Sequence, residues 1–240
     1  MITLYDLSAE FWRNALGGKD PMGGYERTMD RLRDFTGRII VCCDSPRSVR
    51  REKAASYKSN RPPKPPEAID ALRAVEQRIA DNGTPVALVD GWEADDVIAT
   101  LCAQAWPEQV NVTGAEKDYY ALLAHEHVTL FGPKGRVEAA DCERKFGVQP
   151  HQMTDWLALA GDASDGVPGC PGVGMGRATD LLVRFGDIKT IKAASRVELE
   201  SVRGIGKNTV FAIQEWDPTE SLDMVTLRSD LPLSLVELLP

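Results

Sequence analysis

Four short apolar runs of strand type each deliver acid at their carboxyl end, and this pattern restricts the fold more than any other in the chain. Residues 1–5 lead into Asp6 and residues 38–43 into Asp44. Residues 85–89 lead into Gly91-Trp92-Glu93-Ala94-Asp95-Asp96, and residues 110–113 are followed by Glu116 and Asp118. After the third run, Val97, Ile98, Leu101 and Cys102 recur at helical spacing, so the acids sit at a strand-to-helix junction. Strands alternating with helices predict an α/β fold with a mostly parallel central sheet flanked by helices. The carboxyl edge of such a sheet is where connecting loops converge and ligands bind.

An acidic helix start is common, and the helix dipole favours it by up to about 1 kcal/mol, which by itself accounts for one or two of these residues. Four runs ending the same way need more. Two like charges about 4 Å apart repel by about 4 kcal/mol at an effective dielectric of 20. Divalent metal is the simplest way to neutralise so many. Oxygen ligands suit Mg²⁺ or Mn²⁺, and the sequence holds no His/Cys cluster with zinc spacing. Two further acids, Asp162 and Asp165, stand at i, i+3 just after an apolar helical run at 156–160.

The 240 residues are 43% apolar and 27% charged, which fits a globular chain. No apolar run reaches the roughly 18 residues that span a bilayer, and no secretory leader pattern opens the chain, so a cytoplasmic location without membrane contact is expected. Five scattered cysteines are expected as reduced core thiols rather than disulfides. Net charge is −8 but unevenly spread. Residues 47–64 carry seven basic side chains against one acid, and residues 166–214 carry seven against four. Two basic surfaces on an otherwise acidic chain are what is expected if the basic parts hold phosphates while the carboxylates hold metal.

The first basic stretch begins just after Asp44, contains a short helical segment and ends in an extended proline-rich run; a helix with Ile69, Leu72, Val75 and Ile79 at core spacing follows. Residues 119–123 read as a helix, 128–131 as a strand and 132–135 as a hairpin turn. Glycines at 172, 174 and 176 precede a helix, leaving backbone N–H groups near its start as a phosphate seat. A dinucleotide-binding fingerprint fails because no strand precedes them, and a Walker A reading of Gly204-Ile-Gly206-Lys207 fails because Ser201 takes the first glycine position. Both stretches instead suit helix-hairpin-helix units gripping a nucleic-acid backbone, with a plain packing turn as the alternative for the second.

These motifs together resemble the 5′-nuclease (flap endonuclease) family, most closely the 5′→3′ exonuclease domain of bacterial DNA polymerase I and its stand-alone bacterial and phage relatives. The resemblance rests on Gly91 to Asp96, on Tyr57-Lys58-Ser-Asn-Arg61-Pro-Pro, and on Thr113-Gly through Lys117-Asp118. It also rests on Gly161-Asp-Ala-Ser-Asp165 followed by Pro168 to Gly174, and on residues 227–233. It implies a PIN-like nuclease domain over residues 1–160, an arch at about 45–80, and a helix-hairpin-helix region over 161–240. It implies metal-dependent 5′→3′ exonuclease and 5′-flap endonuclease action on DNA with a 5′ flap, nick or free 5′ end, by a monomer using two Mg²⁺ or Mn²⁺ ions. Asp6, Asp44, Glu93 and Asp95 would form one metal cluster with Asp96 beside it, and Glu116, Asp118, Asp162 and Asp165 the other. Lys58 and Arg50 would act catalytically with Asp95 near the scissile phosphate. Tyr57, Arg61, Gly172, Gly174, Gly176 and Arg177 would contact DNA, with K⁺ at the 172–176 hairpin. The chain departs from the family pattern by one extra residue and a glutamate in 113–118, by Leu7 in place of a glycine, and by Gly166 in place of an asparagine. Two other readings are a DNA-structure-binding protein with weak or absent catalysis and a PIN-like ribonuclease; the glycine hairpin counts against the latter.

Overall fold

The computed structural model describes residues 1–114 and 116–239, with the side chain of Met22 left out. Its elements in order are β1 (Ile2–Asp6), α1 (Leu7–Leu16), α2 (Gly24–Leu32), β2 (Arg38–Cys42), α3 (Val49–Lys53), α4 (Pro66–Asp81), β3 (Val86–Ala87) and α5 (Ala94–Ala105). There follow β4 (Val110–Thr113), β5 (Val128–Gly132), β6 (Gly135–Val137), α6 (Ala139–Phe146), α7 (Met153–Ala160), α8 (Met175–Phe185) and α9 (Ile188–Ala193). The chain ends with α10 (Arg196–Glu200), α11 (Lys207–Glu215), α12 (Thr219–Val225) and α13 (Leu235–Leu238).

The sheet order is β3-β2-β1-β4-β5-β6, parallel throughout except for the β5/β6 hairpin turned by residues 132–135. Strand order therefore reverses between β1 and β4, which opens a crevice at their carboxyl ends. Register brings Asp6 beside Cys42 and Tyr5 beside Thr113, so Asp6, Asp44 and the loop after β4 emerge at one edge. Period-two alternation splits the core. Ile2, Leu4, Ile40 and Cys42 face a layer formed by α5, α7 and the C-terminal helices, whereas Tyr5, Val41 and Cys43 face α1, α2 and α4. All five cysteines are unpaired and buried. Among the described residues no helix is long and apolar enough to cross a membrane.

Tertiary context alters several local expectations. The run at 85–89 pairs only through Val86–Ala87, because it is the sheet edge and turns early toward α5. Residues 118–124 form a 3₁₀ helix in place of an α-helix. Ile69 stays on the open side of α4, and Ala68 and Ala71 join Leu72, Val75 and Ile79 in the core instead. Consequently α4 belongs to the body of the protein. The part of segment 45–80 that crosses the carboxylate edge is the irregular stretch 54–65. The two glycine hairpins lie where expected, one entering α8 and the other α11.

Candidate active site

The carboxyl edge of the sheet forms a cleft of about 1140 Å³ whose lining includes Asp6, Asp44, Glu93, Asp95, Glu116, Asp118, Asp162 and Asp165, with Lys58, Arg61, Lys64 and Lys117 among them. Eight of the nine expected acids thus meet in one place. Asp96 does not.

Each acid of the first cluster is fixed by the element that carries it. Asp6 caps α1 by accepting the Ala9 N–H at 2.9 Å, and its second oxygen accepts the Tyr119 hydroxyl at 2.5 Å. Asp44 accepts the Ala94 N–H at 3.0 Å, and its own N–H donates to Ser8 Oγ. Glu93 is the N-cap of α5 and is held by Lys58 Nζ at 2.8 Å from both oxygens and by the Tyr57 hydroxyl at 2.7 Å. Asp95, one residue into α5, accepts the Asp96 N–H at 2.7 Å. Burial followed by the charge of Asp44 pushes the Asp6 carboxyl up to about 7, and burial also raises Asp44. Asp95 is driven well above the ordinary range by burial and by the charges of Asp96 and Glu93. Burial would raise Glu93 too, but Lys58 holds it below the usual carboxylate range.

The second cluster sits on loops and is held mostly by cations. Glu116 pairs with Arg13 from α1, and its side chain is 52% exposed. Asp162 pairs with Lys117 Nζ at 2.5 Å and accepts the Ser164 hydroxyl at 2.6 Å, so despite its burial it stays low. Asp165 pairs with Arg61. Among the described residues Asp118 has no such ion pair, and burial plus the charge of Asp165 push it up to about 6. Ala115, the extra residue in this stretch, lies outside the described residues. Gly161, at φ +72°, and Gly169 approach so closely that a Cβ on Gly169 would lie 2.6 Å from the Gly161 nitrogen, which doubles the turn back and returns Asp162 and Asp165 to the cleft.

Stretch 54–65 is pinned over this cleft. A Cβ at Gly166, φ +73°, would lie 2.1 Å from the Ser56 carbonyl oxygen, so the asparagine expected there from the resemblance is excluded by close backbone approach. Lys58 has a left-handed backbone, φ +52°, a conformation that non-glycine residues hold only where the surroundings enforce it. Its N–H donates to the Asp165 carbonyl at 2.8 Å while its ammonium holds Glu93, so one residue joins the two clusters. Attraction by Glu93 and Asp95 outweighs burial and raises the Lys58 ammonium above its ordinary value, keeping it charged.

Three expected assignments are corrected by position. Asp96 is 0% exposed and points away from the cleft. Its oxygens accept Arg50 at 2.5 and 2.6 Å and the Arg228 N–H at 2.9 Å. Arg50, itself 6% exposed, also donates to the Thr226 carbonyl at 2.8 Å, so it anchors α5 to the C-terminal segment and does not line the cleft. Tyr57 is buried beneath Lys58 and orients Glu93. Gly172, Gly174, Gly176 and Arg177 are exposed but outside the cleft, with Arg177 donating to the Gly172 carbonyl at 2.6 Å. Arg13, Lys117, Tyr119 and Lys64 were not anticipated. Lys117 could have been, since it stands between two candidate ligands; Arg13 carries no sequence signal, because a residue in the last turn of α1, 103 residues from Glu116, says nothing of their contact.

Among the described residues no three acidic, histidine or cysteine side chains stand in ligating arrangement as they are. The reason is visible: Lys58, Lys117, Arg13 and Arg61 occupy carboxylate oxygens. The lining acids nonetheless offer only hard oxygen donors, and four of them carry the raised pKa of negative charge that is buried without full compensation. Such a set fits a small divalent cation of the Mg²⁺ or Mn²⁺ type.

A switch-point cleft lined by carboxylates, bridged by a lysine and followed by glycine hairpins defines an acid-cleft α/β protein of nuclease type. Residues 23–147 match the family model for the 5′-3′ exonuclease N-terminal resolvase-like domain, and residues 148–238 match that for the 5′-3′ exonuclease C-terminal SAM fold. The chain belongs to the 5′-3′ exonuclease family. It is 33% identical over 218 residues to the thermostable DNA polymerase I of Thermus filiformis, covering 88% of this chain and 26% of that protein. To the enzyme of Thermus thermophilus it is 34% identical over 192 residues, covering 78% and 22%. The chain thus spans about a quarter of the length of these relatives. Among solved structures, zinc-bound T5 5′-exonuclease superposes with a TM-score of 0.77 at 20% identity, covering 93% of this chain and 88% of that one. The catalytic core of Rad2 in complex with DNA substrate gives 0.63 at 15% identity, covering 93% and 76%. At those identities the likeness is one of fold.

Proposed function

We propose that this protein is a divalent-metal-dependent 5′→3′ exonuclease and 5′-flap endonuclease that hydrolyses DNA phosphodiesters. The observation that carries the reading is the convergence of eight carboxylates, from five separate stretches of sequence, around Lys58 in one cleft. Family membership supports it, as do the divalent metal bound by T5 5′-exonuclease and the DNA held by the Rad2 core. Asp6, Asp44, Glu93 and Asp95 would hold one ion, and Glu116, Asp118, Asp162 and Asp165 a second. Bound Mg²⁺ or Mn²⁺ supplies charge stabilisation and an activated water for in-line displacement at phosphorus.

The chain's own groups position the substrate. Lys58, kept charged and fixed by a strained backbone, exchanges Glu93 for a non-bridging phosphate oxygen, where its charge counters the negative charge that builds during displacement. Lys64 and Arg61 line the same wall and lead a single strand across it. Arg50 acts from behind, because it fixes the helix that presents Glu93 and Asp95. The exposed 172–176 hairpin seats the duplex backbone through its N–H groups without reading bases.

Labelled 5′-flap, nicked duplex and single-stranded RNA, incubated with Mg²⁺, Mn²⁺ or EDTA, test this reading. Cleavage near the flap junction that requires metal is expected. Tight binding of the flap with no cleavage in either metal would instead support a DNA-structure-binding protein, and preferred cutting of the RNA a ribonuclease.

A further inference from the structure

The two acid clusters differ in what opposes their charge. In the first, Lys58 holds Glu93 at 2.8 Å, but Asp6, Asp44 and Asp95 are met by N–H and hydroxyl groups, and the nearest cations stand off, Lys64 at 4.0 Å from Asp44 and Arg50 at 3.9 Å from Asp95. In the other cluster Asp162 is 7% exposed and its carboxylate is joined at 2.5 Å by Lys117, from the loop that also supplies Glu116 and Asp118. Asp162 is tied further by the Ser164 N–H at 3.0 Å and hydroxyl at 2.6 Å. A buried carboxylate so held is already neutralised. A divalent ion can use it only by displacing an ammonium that is covalently tethered and always present at the site.

We infer that Lys117 is an intramolecular competitor for the second divalent ion. It stabilises the turn at 162–165 before metal arrives and separates the two binding events, so that the first cluster fills at a lower metal concentration than the second. Because the Lys117 side chain is 38% exposed, it can swing out of the cleft without disturbing the core. One acid of the first cluster, Glu93, is held by a tethered cation, against three of the second, and of those three Asp162 is the most buried.

The inference rests on the cleft being a divalent-ion site, and a metal titration separates the two claims. Mn²⁺ uptake by the DNA-free full chain is counted by electron paramagnetic resonance for wild type, Lys117→Gln and Lys117→Arg. The wild type is expected to take up one ion and then a second at least about tenfold more weakly, a difference of about 1.4 kcal/mol. Lys117→Gln should strengthen the second step about tenfold and leave the first unchanged, and Lys117→Arg should restore the wild-type pattern. A second step that is unchanged or weaker in Lys117→Gln, in protein whose circular dichroism and Tm match wild type, overturns the inference alone. Absence of Mn²⁺ uptake by all three proteins overturns the metal reading of the cleft, and this inference with it.

Discussion

The half of the cleft built by β1, β2 and α5 and the half built by the loops at 114–118 and 161–166 present the same chemical groups by different means. In the first, strand ends and a helix start carry the acids; backbone N–H groups orient Asp6, Asp44 and Asp95, and Lys58 with Tyr57 orients Glu93. In the second the chain is irregular, and ion pairs with Arg13, Lys117 and Arg61 give the carboxylates their direction. Rigid elements can hold like charges apart at fixed positions, whereas a loop needs a counter-charge to hold its acids near others. The difference teaches that the element-borne half is preorganised for an ion, and that the loop-borne half must rearrange to receive one.

The largest break should come from the rigid half. Asp95→Ala is expected to lower metal-dependent flap cleavage by about 10²- to 10³-fold, the scale of losing an electrostatic contact in a preorganised site, with DNA binding retained in a gel-shift assay. Equal single-turnover rates for variant and wild type would remove Asp95 from the machinery. Arg50→Ala strikes the support of the same half, because it strands the buried Asp96 carboxylate; removing one partner of a buried pair costs about 3–5 kcal/mol. Urea denaturation should show it, and a loss below about 1 kcal/mol, the scale of an exposed pair, would mean that this ion pair does not anchor α5.

Titration sharpens the comparison. The folded Asp6 and Asp118 have raised values, about 7 and about 6 against an ordinary 3.8, so without metal the native state holds protons that the unfolded chain has lost. Their contribution to stability is fully present below pH 3.8 and is lost as pH rises to about 7, by up to about 4 kcal/mol for Asp6. In EDTA, Asp6→Asn should therefore remove much of the fall in Tm between pH 4 and 7.5; an unchanged slope would mean that Asp6 ionises freely in the fold. Mg²⁺ at pH 7.5 should raise the wild-type Tm. Smallest of all is Arg13→Gln, which breaks a half-exposed pair and should change thermal stability by less than about 1 kcal/mol. A larger loss would show that the loop-borne half is as fixed as the other.

Much of the site was legible because strand ends announce themselves. An apolar run followed by acid predicts both the strand and the edge at which its acid lies, and this reading placed Asp6, Asp44, Glu93 and Asp95 together. Asp95 and Asp96 show where it stopped. They are adjacent acids at one helix start, yet a 100° turn per residue sends one into the cleft and the other into contact with Arg50 and the Arg228 N–H. Identical residue types at neighbouring positions carry no mark of that divergence. Ile69 failed similarly, since helical spacing gives a face but not its width.

Periodicity, glycine placement and the order of acid-tipped runs determined by themselves the α/β class, the metal-suited edge and the two hairpins, because these depend on contacts and conformations local in sequence. Only the tertiary structure decided which acids share the cleft, that Arg50 supports from behind, that Lys58 joins both clusters, and that Lys117 and Arg13 neutralise the second. Those outcomes turn on charges meeting across up to about a hundred residues of chain, and a buried charge settles on whichever opposite charge the fold brings within reach.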